Sequence, residues 1–349
     1  MKRIHSITIA CLLFVFTFVQ AQEKAVKKPN FLVILTDDQR MDALTSYNAD
    51  LPIKTPNIDK IAQNGIRFTN GFATTPICNV SRACILAGRY ETNARMHHFQ
   101  TPMDDDVFYD SYPVQLGKAG YFTGALGKYG VGITEKQKTV FDVFDAQSGQ
   151  GPAFRNYKGK KMHDSEWLTV KTEEFLDKVP ENQAFCLQVN YKEPHMSSVP
   201  APEDDEFLDH YMFERSPMDS PEEHAKLPEH VKNGFGRMCY FKDYLKGGDY
   251  NLYLRQYHEK IMSVERSVGE ILQMLEERNI ADNTVIIFLS DHGTHWGEKQ
   301  LSGKWTPYDL SLRIPFIVYD PRPKALKTVV SDEMVLNIDI APTLLDMAG

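Results

Sequence analysis

Cys78 heads the run Cys78-Asn79-Val80-Ser81-Arg82-Ala83-Cys84-Ile85-Leu86-Ala87-Gly88-Arg89, which places a thiol ahead of Ser-Arg on a short helical stretch closed by glycine. A cysteine in such a place is most often a buried packing residue, so the rest of the chain has to decide what this one does. Asn79-Val80-Ser81 also fits a glycosylation acceptor, a pattern short enough to recur by chance. Asp37-Asp38 and Asp291-His292 carry more weight, because each pair directly follows an apolar run of strand length. Three carboxylates gathered at one sheet edge repel one another unless a cation neutralises them. Calcium, a hard ion that takes oxygen ligands, suits Asp37, Asp38 and Asp291; His292 is the softer member of that set. Lys128, Lys192 and His195 likewise fall just after candidate strands.

The elements that must position these groups can be read from hydrophobic pattern. Phe31-Leu32-Val33-Ile34-Leu35-Thr36 and Thr284-Val285-Ile286-Ile287-Phe288-Leu289-Ser290 are continuous apolar runs, as expected of central parallel strands buried on both faces. Further strands are expected at Ile66–Phe68, Tyr121–Leu126 and Phe185–Val189. Thr55-Pro56 supplies the start of a helix that Gly65 stops. A long helix is expected from Tyr253 to Glu277, with Ile261, Val264, Val268, Ile271, Leu272 and Leu275 forming one apolar stripe and Glu265, Arg266 and Glu270 facing water. Strands alternating with helices give an α/β fold, a large, mostly parallel mixed sheet with helices on both faces. Functional groups then gather beyond the carboxyl ends of the strands. Residues 200–248 are rich in Pro, acids and aromatics without a clear period, and are read as a long loop excursion near the cleft.

Composition narrows the function classes. Lys2 and Arg3, the apolar run Ile7–Val19 and Val19-Gln20-Ala21 have the layout of a cleaved secretory signal over residues 1–21, which leaves 22–349 as one domain, secreted or periplasmic and not membrane-spanning. With Lys2 and Arg3 removed, 37 basic residues face 47 acidic ones, a balance that excludes nucleic acid as a partner. Cys78, Cys84, Cys186 and Cys239 remain after the signal, too few for a disulfide framework if Cys78 does chemistry.

The Cys78 segment resembles the signature of the type I sulfatases, Cys-X-Pro-Ser-Arg with a Leu-X-Gly-Arg-like ending; Val80 stands at the proline position. Four further segments carry the likeness. Asp37-Asp38 and Asp291-His292 resemble the family's metal-binding acids. Gly120–Gly130 is similar to its Gly-Tyr-X-Thr…Gly-Lys-Trp-His, with Tyr129-Gly130 in place of Trp-His. Lys192-Glu193-Pro194-His195 resembles its Pro-His element, and Gly297–Lys304 its Gly-Glu-His-X-Leu stretch ending in lysine, with Lys299 at the histidine. The likeness, which runs from Asn30 to Gly349, implies an alkaline-phosphatase-like fold and hydrolysis of a sulfate ester on a sulfated small molecule or glycan. It implies that a formylglycine-generating enzyme oxidises Cys78 to formylglycine, whose hydrate attacks sulfur beside calcium held by Asp37, Asp38, Asp291 and His292. By the same resemblance Arg82 steadies the nucleophile, Lys128 and Lys304 bind sulfate oxygens, and His195 protonates the departing oxygen; His97 or His98 could stand in for the missing family histidine. The family's smaller C-terminal subdomain has no counterpart before Gly349, so an exposed apolar edge is expected. Two rival readings stay open: a phosphodiesterase or phosphonate monoester hydrolase of the same superfamily, and a calcium-stabilised glycan-binding relative without turnover.

Overall fold

Every residue of Asn30–Thr36 is buried, because this strand lies between two layers and its alternating side chains serve both. Phe31, Val33 and Leu35 point into one core, and Leu32 and Ile34 into the other. The computed structural model describes residues 27–97, 99, 101–246, 248–322 and 329–349; the expected secretory signal and His98 lie outside the described residues.

The main sheet has eight strands: β1 Asn30–Thr36, β2 Ile66–Phe72, β3 Phe122–Lys128, β4 Val143–Gln147, β5 Phe185–Asn190, β6 Thr284–Ser290, β7 Phe316–Tyr319 and β8 Val329–Leu336. Their order is β8-β2-β7-β6-β1-β5-β3-β4. All pairings are parallel except those of β7, which runs antiparallel to both β2 and β6. Helix α2 (Cys78–Ala87) and the last helix, α6 (Ile340–Ala348), cover one face; α1 (Pro56–Asn64), α3 (Asp164–Lys178) and α5 (Tyr250–Glu277) cover the other. The expected α/β class, the strand alternation and the α5 stripe hold. Among the described residues no helix is long and apolar enough to cross a membrane, and all four cysteines are free.

Two expectations need correction. Glu265 does not face water: it is buried, and its carboxylate accepts hydrogen bonds from the Asn57 and Ile58 amides at 2.5 and 3.0 Å. It thereby satisfies the N-terminus of α1, a role set by a neighbouring helix that the α5 pattern does not contain. Arg266 is half-buried against Asp204, whereas Glu270 is exposed as expected. Residues 200–248 are also less irregular than expected, since Pro221–Ala225, Glu229–Lys232 and α4 (Phe235–Tyr244) are helical. These helices are too short or too weakly amphipathic to leave a period in the sequence. The segment is tied down on α5 through Ser263 to Asp204 at 2.7 Å and the Leu208 amide to Glu259 at 2.8 Å. α4 is tied by Ser302 to Asp243 at 2.6 Å, beside the turn that carries Lys304.

Candidate active site

Four adjacent strands deliver the chemistry to one edge of the sheet. β1 and β6 run in register to Thr36 opposite Ser290, so Asp37-Asp38 and Asp291-His292 leave the sheet side by side. The Asp291 amide donates to Thr36 O at 3.1 Å, and the Asp37 amide to Glu193 O at 3.1 Å. Lys128 is the last residue of β3, and the Lys192–His195 turn follows β5. α2 then aims its N-terminus at this edge, with Cys78 as its first residue and Gly88 closing it in a left-handed conformation. Ser81 Oγ donates to Asp291 O at 2.5 Å and Asn337 Nδ2 to Ser81 Oγ at 2.9 Å, which fixes the helix against β6.

Nine of the residues singled out in the sequence meet here. Lys304 donates to the Asp38 carboxylate and lies 3.0 Å from Cys78 Sγ. His292 Nε2 is 3.3 Å from the same sulfur and 3.5 Å from Asp291, and its Nδ1 is 3.0 Å from Gly293 O. Arg82 Nε bonds Asp291 at 2.9 Å, and its guanidinium also holds Lys128 O. Lys128 pairs with Asp37, and His195 Nε2 is 3.6 Å from Asp38. Asp38 itself has a left-handed backbone at φ 64°, held there by Tyr257, whose hydroxyl donates to Asp38 O at 2.7 Å while accepting from the Arg40 amide at 2.9 Å.

The electrostatics keep the buried acids Asp38 and Asp291 charged. Burial alone would push Asp38 and Asp291 up, yet Lys304, His195 and His292 hold Asp38 below its usual range, and His292, Arg82 and Lys128 do so for Asp291. Burial opposes the charged form of Lys304 too, but Asp38, Cys78 and Asp291 hold its ammonium above its ordinary value. Burial pushes the Cys78 thiol up to about 12 against the pull of Lys304, so it stays protonated and a poor nucleophile as cysteine. Burial pushes His195 down to about 3; Asp38 opposes this, and Lys304 and Lys128 reinforce it.

The set fits a hard cation. Asp37 Oδ1 is buried without a hydrogen bond, while Oδ2 faces the Lys128 ammonium. The donor atoms of Asp37, Cys78, Asp291 and His292, and those of Asp37, Asp38, Cys78 and His195, each lie within 4.8 Å of one another.

Some candidates lie elsewhere. Lys192 turns away to Pro152 O and Asp164, Lys299 faces Glu223 at 3.5 Å, and His97 is exposed. Asn79 is buried, which removes it as a glycan acceptor. A Cβ at Gly130 would lie 2.3 Å from Arg82 Cδ, so a larger residue there displaces the arginine. Sequence reasoning missed Tyr257, which continues the α5 stripe into the same core, and Lys260 on its flank. Lys260 is buried and donates to His195 O at 3.2 Å, so it steadies the turn that carries the imidazole. A lysine beside an apolar stripe was the signal, but it reads equally well as a solvated flank.

Residues 29–349 match the family model described as Sulfatase. The chain is 29% identical to an N-acetylglucosamine-6-O-sulfatase of Bacteroides thetaiotaomicron, over 94% of this chain and 69% of that protein. It superposes with a TM-score of 0.76 and 27% identity on a protein solved in complex with its substrate D-glucosamine-2-N,6-O-disulfate, covering 93% of this chain and 77% of that one. A phosphonate monoester hydrolase of Agrobacterium radiobacter shares the fold, with a TM-score of 0.74 and 23% identity over 92% of this chain and 74% of that one.

Proposed function

The chain belongs to the sulfatase family and is a sulfuric ester hydrolase; from that premise we propose that it removes sulfate from a carbohydrate, using calcium and a formylglycine formed from Cys78. The observation that carries this reading is the convergence of Asp37, Asp38 and Asp291 on Cys78, with Lys304 3.0 Å from its sulfur. The relatives named for N-acetylglucosamine-6-sulfate and glucosamine disulfate support a sulfated sugar as substrate.

Calcium held by Asp37, Asp38, Asp291 and His292 would supply Lewis acidity, and formylglycine at position 78 the nucleophilic hydroxyl that a buried protonated thiol lacks. Lys128 and Lys304 neutralise the sulfate oxygens, and Arg82, anchored on Asp291, holds the residue 78 end of α2 in line. His195 donates the proton to the departing sugar oxygen. The negative charge of a bound sulfate ester favours the imidazolium that burial otherwise disfavours. Maturation by a formylglycine-generating enzyme, export directed by residues 1–21, a periplasmic or secreted location and one catalytic domain over 22–349 belong to the same reading.

A phosphonate or phosphodiester substrate is the second reading, favoured by the shared fold of the phosphonate monoester hydrolase. A panel of sulfated monosaccharides, assayed beside phosphate and phosphonate esters with and without chelator, separates the two. Expected are faster turnover of sulfate esters, loss on chelation with recovery on calcium addition, and a peptide bearing residue 78 lighter by about 18 Da. Undiminished turnover in Cys78→Ala, or preference for phosphonate, overturns the proposal.

A further inference from the structure

Directly beyond Lys304 the chain turns outward. Trp305 has φ 81°, a left-handed backbone that a bulky side chain rarely adopts and that clusters at ligand-binding sites. Lys304 is buried, whereas Trp305 is 40% exposed; the turn therefore sends the lysine in to Cys78 and the indole out to the rim. Two phenylalanines from distant segments meet it there. Phe99 is 57% exposed with its ring centroid 5.6 Å from that of Trp305, and Phe235, at the start of α4, is 55% exposed at 5.9 Å. Both contacts are edge-on, at interplanar angles of 64° and 78°, so the flanking rings brace the indole.

Three large aromatic side chains brought together in water from residues 99, 235 and 305 are an exposed apolar patch of the kind that marks a binding surface. The location selects the occupant. The patch begins one residue from a lysine whose ammonium is 3.0 Å from Cys78, which puts it at the rim of the site that holds the reacting group. We propose that Trp305, braced by Phe99 and Phe235, is a stacking platform for the apolar face of a pyranose ring of the substrate, a determinant of affinity for sugar as opposed to sulfate. The assignment rests on the sugar-sulfatase reading above for its occupant, while its geometry is independent of it.

Kinetics on the sulfated monosaccharide that the panel shows to be turned over test this, together with Trp305→Ala, Trp305→Phe and Phe235→Ala. Trp305→Ala is expected to raise KM about tenfold with kcat within about twofold, Trp305→Phe to stay within about threefold of the parent, and Phe235→Ala to fall between. Inhibition by inorganic sulfate should be unchanged in all three, which shows that Lys304 has kept its place. Trp167 is buried and Trp296 stacks on Arg40, so an unsulfated oligosaccharide of the same sugar should shift the tryptophan emission of the parent and not that of Trp305→Phe. An unchanged KM in Trp305→Ala overturns the platform, as does a concentration-dependent dimer lost in that variant without a change in KM, which would give the patch to a second copy. Absence of turnover on every sulfated sugar with the emission shift intact overturns the enzymatic reading and leaves the platform standing. Absence of both overturns both.

Discussion

Arg82 reaches Asp291 across a gap that exists because residue 130 has no side chain. Gly130 sits at φ 79°, where a Cβ would press on Arg82 Cδ at 2.3 Å, so Gly130→Ala meets both a backbone and a packing penalty. The expected result is a stability loss of about 1–3 kcal/mol in urea unfolding, together with at least a tenfold fall in kcat as the guanidinium is displaced from Asp291. Wild-type kcat in that variant would show that Arg82 is not held by this contact. At the position where the family segment has histidine, Gly130 lies against Arg82 here. At the scale of single residues the sequence was highly informative about chemistry. Cys78, Asp37, Asp38, Asp291 and Lys304 could be named because each lies in a short segment of characteristic composition. What Gly130 makes room for was not legible, because Arg82 is distant in sequence and its side chain arrives from another layer.

Helix α5 carries both the core and the supports of the site. Its stripe could be read from the 3.6-residue period, and its Asp249 cap, which accepts from the Asn251 and Leu252 amides at 2.8 and 3.1 Å, extends it three residues before the expected start. Its other buried groups could not be read, because Tyr257, His258, Lys260 and Glu265 are covered by segments packed from elsewhere. His258 gives this a measurable consequence. Its Nδ1 is 2.7 Å from Leu254 O, its ring stacks on Phe213, and Nε2 has no hydrogen-bond partner. Burial pushes it down to about 4 from an ordinary 6.5, Arg40 adding to the depression while the Leu254 carbonyl and Asp42 oppose it. The folded state thus binds fewer protons than the unfolded chain between those values. This contribution to stability is fully present above pH 6.5 and is lost as pH falls toward 4, by at most ~3 kcal/mol. In urea unfolding from pH 7 to pH 4.5, His258→Phe should lose less stability than the wild type by up to that amount. Part of the acid slope remains, because His295 is also pushed down to about 4 by burial. Identical slopes in the two proteins would assign the acid sensitivity elsewhere.

Across the whole molecule the sheet is covered on both faces, with β8 and β4 as its two edge strands. β8 pairs with β2 and, among the described residues, with no other strand. Val330 and Met334 on it are 58% and 70% exposed. Such an edge is a template for pairing with another chain. Val330→Lys with Met334→Lys should therefore reduce concentration-dependent self-association in light scattering while turnover is unchanged, because the nearest strand that carries the site, β6, is three places away in the sheet; equal association in both proteins would show that this edge is not the contact. The amino-acid sequence by itself determined strands β1, β2, β3, β5 and β6, the α/β class, the stripe of α5 and the candidate groups for chemistry. Those follow from local periodicity and from acids, lysines and a cysteine in short recognisable runs. Only the tertiary structure decided that Asp37 lies beside Lys128, that Lys304 points inward while Trp305 points outward, and that Glu265 and His258 are buried. Each of those depends on which remote segment fills the neighbouring volume, and that is settled by packing the layers together.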